Sequence, residues 1–414
     1  MLLCLFEDQH VRNLYPLALT HHPAQLLVGT KPLCQRVSAL PNVAGLTWMG
    51  RGEITKALQC RGHAIHQPES THDTLYLNGR LRWRNDFLDH LPPSNTTEWL
   101  LTDGTHLLAA RTSIISSEQI VSARPEQWGE LGLEIIQTGE LQLYRYLWEL
   151  IEDNERMLAE DAAGLASPSN LPPFDGVHLV NPSAIVAGTG CSIQPGVVLD
   201  ASGGAIILGN NVKVMANAVV VGPCFIGDNS TIKIGAKIYE KTSVGPWCKV
   251  GGEVEGSIIL GFSNKQHDGF LGHSYLGEWV NLGADTNTSD LKNNYGQVRV
   301  TFPWGEVNSG TMFLGSLIGD HSKTGINTML NTGTVVGVGA NVFGGGFPPK
   351  FIPSFAWGER EEYDRNKAIQ TARAVMLRRK VVMTDAEEEL LRGIKYHTLP
   401  TDINKTEREG RSNG

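Results

Sequence analysis

From residue 185 to residue 342, aliphatic side chains recur at a spacing of six. Leu208, Val214, Val220, Ile226, Ile232, Ile238, Val244 and Val250 form an unbroken series. The same spacing opens at Ile185, Cys191 and Val197. It returns at Leu276 and Leu282, then at Ile318, Leu330, Val336 and Val342, with Thr324 filling the gap. Glycine often follows the aliphatic residue, as in Ile226-Gly227, Val244-Gly245 and Ile318-Gly319. Neither the 3.6-residue period of a helix nor the two-residue alternation of a strand produces this pattern. A triangular solenoid does: three short faces make one coil, the aliphatic residue points inward, and small residues round the corners. The pattern predicts a left-handed parallel β-helix of hexapeptide repeats over residues 176–358. Its coils must stack, because no coil buries its inner face alone.

Two stretches break the rhythm. Gly261–Tyr275 carries two histidines and three aromatics, and Thr288–Thr311 reads as an excursion containing a β-hairpin. Insertions leave a solenoid as loops, and such loops commonly carry function.

The flanks obey other periods. Residues 1–138 mix helical patterns with apolar strands at Leu2–Phe6, Gln25–Gly29, Thr74–Leu77 and Leu107–Ala110, which predicts an α/β domain. In residues 139–175, the apolar positions Leu141, Leu143, Leu147, Leu150 and Ile151 predict a connecting helix over Glu140–Asp161. The stretch Ala162–Pro173, rich in Ala, Gly, Ser and Pro, serves as a linker. Pro348, Pro349 and Pro353 end the solenoid. Residues 359–414 then read as one or two helices over Glu359–Arg392 and a polar tail expected to lack order.

Charge narrows the function. The 414 residues hold 35 Lys and Arg against 43 Asp and Glu, a formal charge of −8, which argues against a nucleic-acid binder. Six scattered cysteines form no CxxC pair and no zinc-spaced cluster, so free thiols in a reducing compartment are expected. The start lacks a basic segment and a long apolar run, and no stretch approaches the roughly 18 apolar residues of a membrane span. A soluble cytoplasmic protein without a membrane partner is the expectation.

The stretch Gln266–Gly283, QHDGFLGHSYLGEWVNLG, resembles the acetyltransferase half of GlmU-type bifunctional enzymes. That family's HLxYLGDAxIGxxVNIGAG pattern lies over His267–Asp285 without a gap. The N-terminal LFEDQHVRNLYPLALTHHPAQLLVG, with LYLNGR at Leu75–Arg80, resembles the reduced nucleotidyltransferase domain of GlmU-like sugar nucleotidyltransferases. The resemblance implies a nucleotidyltransferase-like α/β domain followed by a β-helix acyltransferase domain. It also implies acetyl-CoA as co-substrate, an amino sugar, sugar phosphate or nucleotide sugar as acceptor, and a homotrimer with sites between subunits.

Residue by residue, the resemblance puts the catalytic base at His267, an acceptor contact at Asn281, and the pantetheine arm along Ala284 and Gly344. An imidazole, titrating at about 6.5, suits the base at neutral pH, and on chemistry alone His273 offers the same. Phe270 stands where the family usually has Tyr. Lys292 lies in the loop from which a family lysine reaches a neighbouring subunit's site. Glu255 falls at the place of a phosphate-binding lysine and Lys237–Tyr239 near that of an arginine, leaving Lys237 and Lys241 as the nearest cations. A carboxylate there repels a sugar phosphate, so the acceptor is expected to differ from glucosamine 1-phosphate. Arg373, Arg378, Arg379 and Lys380 read either as a solvated face or as a contact for CoA phosphates or a neighbouring subunit.

The first domain departs further. The family's Gly-rich phosphate loop is missing, Thr20-His21-His22 replaces TRP, and Leu27 replaces an arginine. Only Gly29-Thr30-Lys31-Pro32-Leu33 echoes GxKPL. Asp8 and Asp103 are candidate metal-binding acids or plain turn residues, and Mg2+ enters only if this domain transfers nucleotides. Acyl transfer is therefore the leading expectation. Nucleotidyl transfer with the β-helix as trimerisation scaffold, and a non-catalytic sugar-nucleotide binder or assembly protein, are the alternatives.

Overall fold

The computed structural model describes residues 2–41, 43–67, 73–93, 96, 98–165, 175–358 and 361–396. The N-terminal domain contains β1 (Leu2–Phe6), β2 (Leu27–Val28), β3 (Lys31–Pro32), α1 (Leu33–Ser38) and β4 (Gly45–Met49). After these come α2 (Gly52–Cys60), β5 (Ala64–Ile65), β6 (Thr74–Asn78), β7 (Trp99–Thr102), β8 (Leu107–Thr112), α3 (Ser117–Ser122) and β9 (Glu134–Gln137). Seven of these strands form one sheet in the order β5-β4-β1-β6-β8-β7-β9. The first four are parallel, and β8 runs antiparallel to β6 and β7. The α/β expectation holds. The strand expected at Gln25–Gly29 is shorter: Gly29, at φ +67°, turns the chain so that β2 pairs only with β3.

The connecting helix, α4 (Leu147–Ala163), starts later than Glu140. Leu141 and Leu143 are both buried at a spacing of two, which belongs to extended chain. Leu143 accordingly bridges Leu81, and the Tyr144 N–H donates to Arg80 O at 2.8 Å. The linker beyond residue 165, through Pro173, and the polar tail beyond residue 396 lie outside the described residues. Two C-terminal helices follow the solenoid, α5 (Arg365–Leu377) and α6 (Asp385–Gly393). The Asp364 and Thr384 side chains cap their N-termini. No helix among the described residues is long and apolar enough to cross a membrane, and all six cysteines are free.

The solenoid is a three-sided parallel β-helix. On one face Ile206, Cys224 and Thr242 stand in register, so successive coils repeat at three hexads. Three aliphatic columns fill the interior. One runs Leu208, Ile226, Val244, Ile259, Leu276, Ile318, Val336 and Ile352. A second runs Leu199, Val220, Ile238, Val254 and Leu271. The third passes through Val214, Ile232 and Val250, reaches Lys265, and continues at Thr324 and Val342.

The expected hairpin exists at Arg299–Phe302 and Gly305–Asn308. Its Val298, Val300 and Phe302 do not face solvent. They join Leu314, Leu317 and Phe351 in the apolar core of the N-terminal domain, beside Trp148 of α4. Polar bonds seal the same seam: Tyr275 Oη donates to Leu27 O at 2.7 Å, and Ser243 Oγ to Gly29 O at 2.8 Å.

Candidate active site

Strand register sorts the chemistry-bearing residues onto corners. Thr231, Lys249 and Asn264 are equivalent positions of successive coils, and bridges extend the row through Asn281 to Lys323 and Asn341. Three residues beyond these positions lie Ile234, Gly252, His267, Ala284, Ile326 and Gly344. They form one corner of the prism. The Asn327 N–H donates to Ala284 O at 2.8 Å across it. His267 is exposed there, and so are Ile326 (73%) and Ile234 (64%), with Phe343 and Phe347 beside Gly344. His267, Ala284 and Gly344, expected together from the sequence, do share this corner, and Asn281 lies in the ladder leading to it.

His267 sits on a fixed turn, and the sequence reading missed what fixes it. Lys265 occupies an inward position where neighbouring coils place Val250 and Leu282, and it is 2% exposed. Its Nζ turns to the corner and donates to His267 O at 2.6 Å and to Asp268 O at 3.1 Å. Burial lowers this ammonium to about 8. A signal was available: Lys265 stands six residues after Ile259 and six before Leu271, in a place the repeat reserves for an aliphatic side chain.

A cationic cluster flanks the same corner. Lys249 stands one coil from Asn264, whose Oδ1 accepts from Arg379 Nη2 at 3.1 Å. Burial, then the charges of Arg379, Lys233 and Arg378, lower the Lys249 ammonium. That ordering places four cations close together, and among the described residues none of them has an ion pair with an acid. Arg373, by contrast, pairs with Glu388 on α6. The basic residues in and just after α5 thus divide: Arg373 makes a surface contact, and Arg379 reaches the β-helix at Asn264.

The remaining candidates separate. Lys237 holds Glu253 at 3.1 Å on the face that carries Phe270, next to the His267 corner. Lys241 stands on a different corner, with Gly256 and His273, where Glu155 of α4 holds its Nζ at 2.8 Å. It is an interdomain tie, not a neighbour of His267. His273 Nδ1 lies 2.7 Å from Asp290 Oδ2, and burial raises the nearby Glu255 carboxyl. Lys292 donates to Gln297 O at 3.2 Å within its own insertion.

In the N-terminal domain, the C-terminal ends of the parallel strands meet in a crevice, the usual ligand position of such sheets. Here it is filled by the protein's own ion pairs. Arg51 forks onto Glu7 at 2.8 and 2.9 Å, and Arg80 Nε donates to Asp8 Oδ1 at 2.9 Å, with Asn78 on the other oxygen. Arg80 outweighs burial and keeps the Asp8 carboxyl below its usual range. Asp103 caps a turn through Thr105 and His106. Among the described residues no three His, Cys, Asp or Glu side chains converge as a metal site.

Comparison with known proteins agrees with this division. The family described as sugar nucleotidyl transferase matches residues 3–169. A bifunctional sugar-1-phosphate nucleotidylyltransferase/acetyltransferase of Sulfurisphaera tokodaii is 32% identical over 119 residues, covering 29% of this chain and 29% of that protein. The bifunctional protein GlmU of Synechococcus sp. (strain CC9311) is 31% identical over 188 residues, covering 43% and 36%. That of Methanococcus vannielii is 34% identical over 121 residues, covering 28% and 28%. The chain thus spans about a third of the length of these curated relatives.

Proposed function

We propose that this chain, which is similar to the sugar nucleotidyl transferase family over residues 3–169 and to GlmU-type bifunctional enzymes over part of its length, transfers an acyl group from an acyl-CoA. Acetyl-CoA is the first candidate donor, and the acceptor is an amino or hydroxyl group of a sugar phosphate or nucleotide sugar. The observation that carries this reading is the corner itself. Exposed His267 lines up with Ala284 and Gly344, and Lys233, Lys249, Arg378 and Arg379, which form no ion pair with an acid among the described residues, lie beside it. Small residues and exposed apolar side chains suit a pantetheine arm lying along the corner, and clustered cations suit the phosphates at its far end.

In this reading His267 takes the acceptor's proton as its nitrogen or oxygen bonds to the thioester carbonyl. The C–S bond then breaks, and the departing thiolate recovers the proton as free CoA. Asn281 contacts the acceptor and Lys237 stands beside it. Lys292 serves a neighbouring subunit's site in a homotrimer, in which the exposed corner residues Ile234 and Ile326 find cover. Nucleotidyl transfer fits less well, because Glu7, Asp8, Arg51 and Arg80 occupy the crevice themselves.

The test is thiol release from acetyl-CoA against a panel of amino sugars, sugar phosphates and nucleotide sugars. Turnover is expected with one acceptor class, about 100-fold or more weaker in His267→Ala, and with a raised KM for acetyl-CoA in Lys249→Ala. Absence of turnover and of acetyl-CoA binding across the panel refutes the reading.

A further inference from the structure

A second cavity of about 790 Å³ lies between the N-terminal sheet, another corner of the β-helix, and the C-terminal helices. This corner is an aromatic ladder: Phe262 stacks on Trp279 with centroids 4.2 Å apart, and Trp279 is followed by His321 at 6.2 Å. Trp48 of β4 faces it from the sheet, with Met376 of α5 and Leu390 of α6 completing the apolar wall. The volume falls in the range of sites that enclose a small organic molecule. Exposed Gln35, Ser38, Arg61 and His63 line its rim, so it communicates with solvent.

The charges in the wall are unequal. His21 Nε2 lies 2.8 Å from Asp320 Oδ2, and these two neutralise each other. Arg61, the only lysine or arginine among the described lining residues, is held by Glu387 at 2.7 Å. That leaves Glu278. Its backbone N–H donates to Asp320, but among the described residues nothing donates to its carboxylate, whose Oε1 lies over Gly261. Next to it, the buried Nδ1 of His321 has no hydrogen-bond partner. Burial keeps that imidazole neutral, titrating at about 4. The wall therefore presents the Glu278 carboxyl, which burial raises to about 7, framed by two indoles, while the one guanidinium is engaged and His21 is held by Asp320.

We propose that this cavity is a binding site for a small organic cation: an ammonium group carried on a flat apolar body. The ammonium pairs with Glu278, and the indoles of Trp48 and Trp279 cover the apolar body and add cation–π attraction. Phosphorylated ligands are disfavoured, because the Glu278 carboxyl ionises as pH rises through about 7 and the wall's one guanidinium is already engaged. The site lies on a different corner from His267, so it stands or falls independently of acyl transfer.

The full-length protein is titrated with 2-naphthylmethylamine, its uncharged isostere 2-naphthylmethanol, and 2-naphthoate, followed by thermal midpoint and tryptophan fluorescence. The amine is expected to raise the midpoint and perturb fluorescence at millimolar concentration or below. The alcohol should bind about tenfold more weakly, and the carboxylate not at all. Glu278→Gln should erase the preference for amine over alcohol, while acetyl-CoA turnover by the same variant stays at its wild-type value. Equal binding of amine and alcohol, tighter binding of the carboxylate, or no response to the amine overturns the proposal. If Glu278→Gln does not fold, the ranking of the three probes on the unaltered protein decides.

Discussion

Replacing Lys265 with methionine separates what an interior lysine costs from what it does. Methionine keeps the unbranched length but removes the ammonium and its bonds to His267 O and Asp268 O. The ammonium titrates at about 8 instead of 10.5, so burial disfavours the charged form by about 3 kcal/mol. The two charge-assisted bonds return about 1.5–3 kcal/mol each, and the freed carbonyls sit at a corner water can reach. The two bonds together return about 3–6 kcal/mol against a cost of about 3, so stability at pH 7 should fall by no more than about 3 kcal/mol. Catalysis should not be spared. If that turn carries the base, as proposed, a shift of about 1 Å should lose up to about 100-fold in rate. The depressed lysine also gives a sign. The folded state binds fewer protons than the unfolded state between about 8 and 10.5, so the wild-type protein gains stability across that window from this group and Lys265→Met does not. Denaturant unfolding at two pH values and acetyl transfer at saturating acetyl-CoA measure both effects. A loss of more than about 3 kcal/mol with unchanged specific activity of the folded fraction would refute the positioning role.

Two further outcomes follow from buried charges. His21 is raised to about 9, its Asp320 contacts outweighing burial, so its stabilisation is complete below its unfolded value and is lost as pH rises through 9. Burial raises Glu278 to about 7, and its contribution falls with rising pH in the same direction. The thermal midpoint should therefore decline from pH 6.5 to 8, below the window in which Lys265 acts in the opposite sense, and Asp320→Asn should flatten that decline; a midpoint that rises over this range contradicts the assignment. Arg36 and Asp161 form a buried pair at 2.5 Å with side chains 2% and 4% exposed. Arg36→Ala strands the carboxylate and should cost about 3–5 kcal/mol by denaturant unfolding; a cost below about 1 kcal/mol would mean that water reaches it.

The β-helix was legible because each coil repeats the same local requirement, so columns such as Leu208, Ile226 and Val244 appear as a spacing along the chain. The corner carrying His267, Ala284 and Gly344 was legible only with the family pattern, which supplied positions that composition does not mark. Lys265 escaped notice because a lysine in a repeat reads as surface until the register shows that its side chain points inward. Pairs such as His21 with Asp320, or Lys241 with Glu155, were not legible at all. They depend on how the α/β domain docks against the prism, which no local period encodes. The hairpin was predicted as a loop feature, whereas Val300 and Phe302 belong to the other domain's core. The sequence shows their apolarity but not what they cover.

That shared core bears on how the chain is made. Synthesis delivers the α/β domain first, yet one of its walls is built from Val298, Val300, Phe302, Leu317 and Phe351, which emerge only after most of the prism. Until then Trp148, Tyr15 and Leu27 have an open flank. The nascent N-terminal half therefore leaves that apolar flank uncovered until the last coils have left the ribosome.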